Sequence, residues 1–270
     1  MDARKEQEKI FHDKLRYESF GQRWTPVLEN TIRQNPLWTN MKYYSIERKS
    51  RTMVLDWFRE NCQGKKALDY CCGNGEDSIY IAKNGAKEVI GIDISEVSIK
   101  NCKKRAIEEE VSSKVTFSVM DAESLEFEND TFDIITEYGA LHHLNLEKAY
   151  SELARVVKKD GKVICNEALG HNFFINLYRK LTPTLRTEWE AKHILCKKDL
   201  ELAKKYFGEI KVNFFHLTTL LAVPFRNLPG FGTVLNILEK LDGFLLKIPF
   251  VKWQAWQVVV VLSQPNKANV

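Results

Sequence analysis

The stretch from Ala67 to Ala82, "ALDYCCGNGEDSIYIA", decides how the chain is read. An apolar pair runs into Asp69, two adjacent cysteines follow, and Gly73-Asn74-Gly75 opens a segment with helical spacing. This is the pattern of a strand, a tight turn and a helix, in which glycines let the backbone approach a ligand. A phosphate loop of the G-x-x-x-x-G-K-[ST] kind is excluded, because the two glycines are too close and no Lys-Ser/Thr follows. The G-x-G-x-x-G dinucleotide fingerprint fits at two positions, but its third falls on Ser78. Asp93, an acid at the end of the next apolar run, suits the two hydroxyls of a ribose.

Working outward, apolar runs alternate with helical segments from Lys65 to Glu167. Strands are expected at 66–71, 88–94, 114–121, 132–139 and 161–168, with helices at 75–85, 96–110 and 146–157. Gly85 marks one helix end and Ser95 caps the start of the next. Such alternation implies parallel strands joined by right-handed crossovers. After Glu167 the rhythm breaks. A helix at 197–207, a strand at 209–217, an apolar insertion at 218–252 and a last strand at 253–263 follow. The expected fold is α/β, a doubly wound and mostly parallel seven-stranded sheet. Helical lid insertions follow strand five and separate the last two strands. The expected divisions are an N-terminal helical lid region at 1–64, a cofactor-binding core at 65–167 and a substrate-lid region at 168–270. Ligands in such sheets lie beyond the carboxyl ends of the strands. That places Gly73, Gly75, Asp93, Asp121, Glu137, His143, Glu167 and His171 on one rim.

Composition narrows the class. In 270 residues, 44% apolar and 28% charged side chains suit a globular chain with a sizeable core. The six cysteines show no C-x-x-C spacing, so a metal centre is not expected and the thiols read as reduced, in a cytoplasmic protein. Cys71 and Cys72 fit the turn because they are small. No basic run beside the rim supports nucleic-acid binding. From Cys196 onward 10 Lys/Arg face 5 Asp/Glu, which leaves room for a peripheral contact with an anionic membrane. The first twenty residues read as an amphipathic helix with Ile10, Phe11 and Leu15 on one face.

The wider pattern resembles the signature region of class I (Rossmann-like), small-molecule methyltransferases that use S-adenosylmethionine. The matching residues are Leu68-Asp69 with Gly73 and Gly75, Asp93, Asp121-Ala122, Phe132-Asp133 with Leu141 to Leu144, and Arg155 to Val163. Two departures stand out: Cys71 replaces the family's first glycine, and Lys159-Asp160 replaces the usual Pro-Gly. The resemblance implies that Asp69 and the amides of Cys71, Gly73 and Gly75 surround the methionine end of the cofactor. It implies Asp93 on the ribose, Ile94 against the adenine face, and Asp121 with Ala122 at the adenine edge. Glu137 would line the reactive end, and Tyr44 would close over the cofactor from the N-terminal segment. His143, Glu167 and His171 are the rim candidates for catalysis, since a base near neutral pH assists an O or N nucleophile. The acceptor is expected to be a small, partly hydrophobic molecule, because both insertions are rich in apolar side chains. Two other readings remain beside this one: a nicotinamide oxidoreductase, and a non-catalytic cofactor-binding or membrane-surface module.

Overall fold

The apolar runs form a sheet whose inner strands are buried on both faces and whose edge strands, at 115–119 and 207–215, are partly open. The computed structural model describes residues 2–17 and 36–270. Its strands are β1 Lys66–Tyr70, β2 Glu88–Asp93, β3 Val115–Val119, β4 Phe132–Tyr138, β5 Val157–Ala168, β6 Phe207–Phe215 and β7 Gln257–Pro265. They lie in the order β3-β2-β1-β4-β5-β7-β6, a seven-stranded sheet as expected. Pairing is parallel from β3 through β5, and β7 alone runs against both its neighbours.

Helices cover the two faces: α1 Ala3–Tyr17, α2 Arg48–Asn61, α3 Glu76–Lys83, α4 Glu96–Glu108, α5 Leu146–Val156, α6 Phe173–Leu181, α7 Glu188–His193, α8 Lys197–Leu202 and α9 Phe231–Leu245. Side chains alternate along each strand, so Leu68 and Tyr70 of β1 enter one core while Ala67 enters the other. Against the first core lie α5 and α8, through Tyr150, Leu153 and Leu200; against the second lie α2, α3 and α4, through Phe58, Ile79 and Ile99. The alternation is why the strand ends, and not the faces, are left for ligands.

Local signals behave as the residues dictate. Ser95 caps α4, its Oγ accepting from the Ser98 amide at 3.0 Å. Gly85 follows α3 with φ +93°, the left-handed position that ends a helix. The fifth strand begins at Val157, four residues ahead of the expected 161, so Lys159 and Asp160 lie within it and not in a turn.

Both connections beyond β5 are helical. The first carries α6, α7 and α8; the second carries a 3-10 segment, Thr218–Phe225, and then α9. A small third core joins them: Ile175 of α6, Ala222 and Val223, Leu235 of α9, with Ile46 and Trp256.

Candidate active site

Two adjoining cavities open over the carboxyl ends of β1, β2 and β4. The larger, about 290 Å³, is lined by Tyr44, Glu47, Arg51, Asp69, Gly73 and Tyr138 among others. The smaller, about 80 Å³, is lined by Asp93, Ile94, Asp121, Ala122 and His143 together with residues of α1. Arg16, Cys71 and Tyr138 line both, so the two form one groove divided at those side chains.

The turn after β1 is held from below. Asp69 accepts from the Ser78 amide at 2.9 Å and the Ser78 hydroxyl at 2.6 Å, tying the strand to the first turn of α3. Burial, reinforced by the neighbouring Asp77 carboxylate, pushes Asp69 up to about 7. Gly75, with φ +74°, leaves no room for a side chain: a Cβ there would stand 2.9 Å from the Cys102 sulfur. Its amide donates to the Cys72 carbonyl at 2.8 Å, and the Gly73 amide donates to Asp93 at 2.9 Å. The resemblance implies both amides at the methionine end; here the Gly75 amide bonds within the loop and the Gly73 amide bonds Asp93 of β2, and Gly75 lines neither cavity. Cys71 adopts φ +60°, the left-handed conformation in which the family carries glycine. Cys71 lines both cavities, while Cys72 lines only the larger and meets the Cys102 sulfur at 3.8 Å. Burial pushes both thiols well above their ordinary range, which fits small packing groups and not nucleophiles.

Asp93 projects from the end of β2 and accepts the Gly73 and Ser95 amides, one on each carboxylate oxygen. Each oxygen keeps a second lone pair for a hydroxyl. Burial raises its pKa, opposed by those two amides. Asp121 accepts the Glu123 amide at 2.9 Å and the Lys5 ammonium at 2.6 Å.

Helix α1 forms the outer wall, and here the sequence reading is corrected. Ile10 is exposed, and the face laid on the body is charged. Arg4, Glu8, His12 and Arg16, four residues apart and so on one face, all line the smaller cavity. Arg4 bonds Glu123, Lys5 bonds Asp121, and Asp13 accepts from the Ser95 hydroxyl. Glu8 joins His143 at 2.9 Å and also accepts from Thr187. Glu8, His12 and His143 bring one potential ligand atom each within 4.8 Å of one another, a donor set that a divalent cation would accept. The residues themselves fill it with mutual contacts. The four-residue spacing of polar side chains was the available signal.

Three other rim candidates lie away from the groove, and none lines either cavity. Glu137 points beneath the turn, accepting the Ala140 and Leu141 amides. Burial and the adjacent Glu167 carboxylate push its pKa well up. Glu167 is fully buried, pairs with His142 Nδ1 at 2.7 Å and accepts the Leu141 amide at 2.6 Å. His171 accepts the Lys197 amide at 2.9 Å and packs edge-on against Trp253. Of the three catalytic candidates only His143 reaches the groove.

Groove residues that the sequence did not single out are Glu47, Arg51 and Tyr138. The Tyr138 hydroxyl donates to Glu47, which also accepts from Gln257 at 2.6 Å, and Arg51 pairs with Asp77. Burial pushes Glu47 up to about 7. Tyr44 lines the larger cavity, as expected.

With this geometry in place, likeness to known proteins can be stated. Residues 67–161 match the model of a methyltransferase domain. The 27-O-demethylrifamycin SV methyltransferase of Amycolatopsis mediterranei is 32% identical over 107 residues, 39% of this chain and 39% of that protein. The ubiquinone/menaquinone biosynthesis C-methyltransferase UbiE of Rickettsia massiliae is 36% identical over 106 residues, 37% of this chain and 43% of that one. The chain thus spans about two fifths of the length of the curated relatives it matches. Among solved structures, a Haemonchus contortus phosphoethanolamine N-methyltransferase aligns with a TM-score of 0.57 at 23% identity, over 80% of this chain and 52% of that one. The [4+2]-cyclase SpnF aligns at 0.53 and 19% identity, over 79% and 81%. These two show the fold. The motifs and the strand order agree with the matched segment in likening residues 67–161 to a methyltransferase domain.

Proposed function

We propose that the chain is an S-adenosylmethionine-dependent methyltransferase that transfers a methyl group to an O, N or C nucleophile of a small, partly hydrophobic acceptor. The observation that carries the reading is the divided groove, with Asp93 on one side of the Cys71–Tyr138 boundary and the Asp69 turn on the other. The lining groups follow the order of an adenosyl amino acid. The smaller cavity takes the adenosine, with Asp93 accepting the ribose hydroxyls, Ile94 against the base and Asp121 at its edge. The larger takes the amino-acid end, where Arg16 stands 3.1 Å from the position a Cβ on Gly73 would occupy and offers a guanidinium to a carboxylate.

The bound cofactor supplies a methyl carbon already activated by its sulfonium. The protein then has to align a nucleophile and exclude water, and positioning of this kind is worth roughly 7–11 kcal/mol. Tyr138, at the boundary, is the side chain closest in role to the transfer point. Glu47 behind it, with a pKa near 7, is placed to take a proton from an O or N nucleophile. His143, held by Glu8, orients on the adenosine side. Helix α1 and the stretch from Tyr44 to Arg51 close the groove over the 65–167 core, and 168–270 is the proposed substrate region. Relatives acting on rifamycin and quinone precursors support a small acceptor with apolar character. No helix among the described residues is long and apolar enough to cross a membrane.

Calorimetric titration with S-adenosylmethionine and S-adenosylhomocysteine tests the cofactor. Transfer of labelled methyl into apolar hydroxylated, amino or quinol acceptors tests the reaction. Failure of both ligands to bind would overturn it.

A further inference from the structure

We infer that α9, together with α6 and the Thr218–Phe225 segment, docks the protein on an anionic lipid bilayer and that the acceptor is drawn from that bilayer. This deepens the proposed function and rests on it for the acceptor, while the docking surface stands on its own.

Helix α9 carries two apolar stripes. One faces inward: Leu235 is buried in the third core with Leu238 against it, and Asp242 on the same side accepts from Thr218 and Thr219. On that side, too, Glu239 takes the guanidinium of Arg48, a residue of the larger cavity's wall. The other stripe is Val234, Ile237, Leu241 and Phe244, spaced three and four apart, and all four are exposed. A surface helix with one core to cover needs one apolar stripe. The second has no described residue over it.

The patch continues onto the neighbours. The 3-10 segment packs directly on α9, and Ile175 of α6 shares the third core with both, which leaves the other faces of these elements outward. Those faces present Phe173, Phe174 and Leu181 from α6, and Leu221 and Phe225 from the segment, while Phe250 beyond α9 is 89% exposed. A second apolar stripe on α9, beside further exposed apolar side chains on elements of the same core, marks a docking site, since isolated exposed side chains are ordinary and clustered ones are not.

Charge selects the partner. Lys180 of α6, Lys240 of α9 and Lys247 just beyond α9 are exposed. Between residues 173 and 187, and between 217 and 254, the acids are Glu239 and Asp242 alone, and both are engaged on the inner side. Apolar side chains on a helix lying flat, ringed by cations with no free acid, fit an anionic membrane interface. Since Arg48 links the inner side of α9 to the cavity wall, docking sets the groove beside the lipid surface, where a partly apolar acceptor is concentrated.

The test uses the full chain with vesicles of phosphatidylcholine alone and of equimolar phosphatidylcholine and phosphatidylglycerol. Co-sedimentation is expected with the anionic vesicles and at least ten times weaker with the neutral ones, and raised salt should reduce it. Ile237→Glu with Phe244→Glu, both at exposed positions, should lower anionic-vesicle binding at least tenfold while circular dichroism and S-adenosylmethionine titration stay unchanged. Absence of sedimentation with anionic vesicles would overturn the inference. So would light scattering that shows a dimer through this face, converted to monomer by the double variant. Loss of cofactor binding with vesicle binding intact would instead overturn the methyltransferase reading alone.

Discussion

The Lys5 ammonium lies 2.6 Å from the Asp121 carboxylate, so the N-terminal helix is fastened to the very acid that the family places at the adenine edge. Arg4 makes the parallel connection to Glu123, one side chain further along the same wall. Helix α1 is therefore part of the smaller cavity's wall and not an appendage to it.

Removing that fastening should open the pocket without unfolding the sheet. Lys5→Ala with Arg4→Ala is expected to leave the far-ultraviolet spectrum intact. It should raise the S-adenosylhomocysteine dissociation constant about tenfold, equivalent to about 1.4 kcal/mol. Because the pairs are partly solvated, the wild-type affinity should fall with salt and the variant's should fall less. Tighter binding in the variant would mean that Lys5 competes with the ligand for Asp121.

Two left-handed positions in the same turn predict opposite outcomes. Gly75→Ala places a Cβ 2.9 Å from the Cys102 sulfur and 3.2 Å from the Phe117 ring at φ +74°, so destabilisation of roughly 1–3 kcal/mol is expected in urea unfolding. Cys71 already bears a side chain at φ +60°. Cys71→Gly relieves that conformation, offset by the glycine's greater chain entropy, and should leave stability unchanged or raise it by up to about 1 kcal/mol.

The raised pKa of Glu47 makes stability depend on pH. Its folded value is about 7 against an ordinary 4.5, so the folded state holds a proton that the unfolded chain has released between those limits. Its contribution is complete below pH 4.5 and is lost as pH rises to 7. Relative to wild type, Glu47→Gln should gain stability across that window, by about 3 kcal/mol in the full-burial limit. His216, held down to about 4 by burial, acts in the opposite sense between 4 and 6.5, which is why the difference between the two proteins and not the wild-type profile is diagnostic. Parallel unfolding curves at pH 5 and pH 7.5 provide the check.

The sheet was legible because burial on both faces writes the inner parallel strands as apolar runs, and Asp69, Asp93 and Asp121 stand at or just past the ends of such runs. Which way a side chain turns at a strand end was not legible. Glu137 and Tyr138 are neighbours on β4, yet alternation sends the tyrosine to the groove and the glutamate under the turn. Glu167 went unread as an interior partner of His142 for the same reason, since only the fold brings the two together. Helix α1 was misread because apolar spacing was taken to mark its inner face. In this structure ion pairs to Asp121 and Glu123 set that face.

The central claim is that Asp93 holds the ribose of an adenosyl ligand at the end of β2. Titration calorimetry of wild type and Asp93→Ala with S-adenosylhomocysteine, on samples of matched circular dichroism, tests it most directly. Saturable binding to the wild type and none to the variant is the predicted result. Equal affinity of the two proteins, or a wild type that ignores this ligand and binds a nicotinamide dinucleotide, would contradict it.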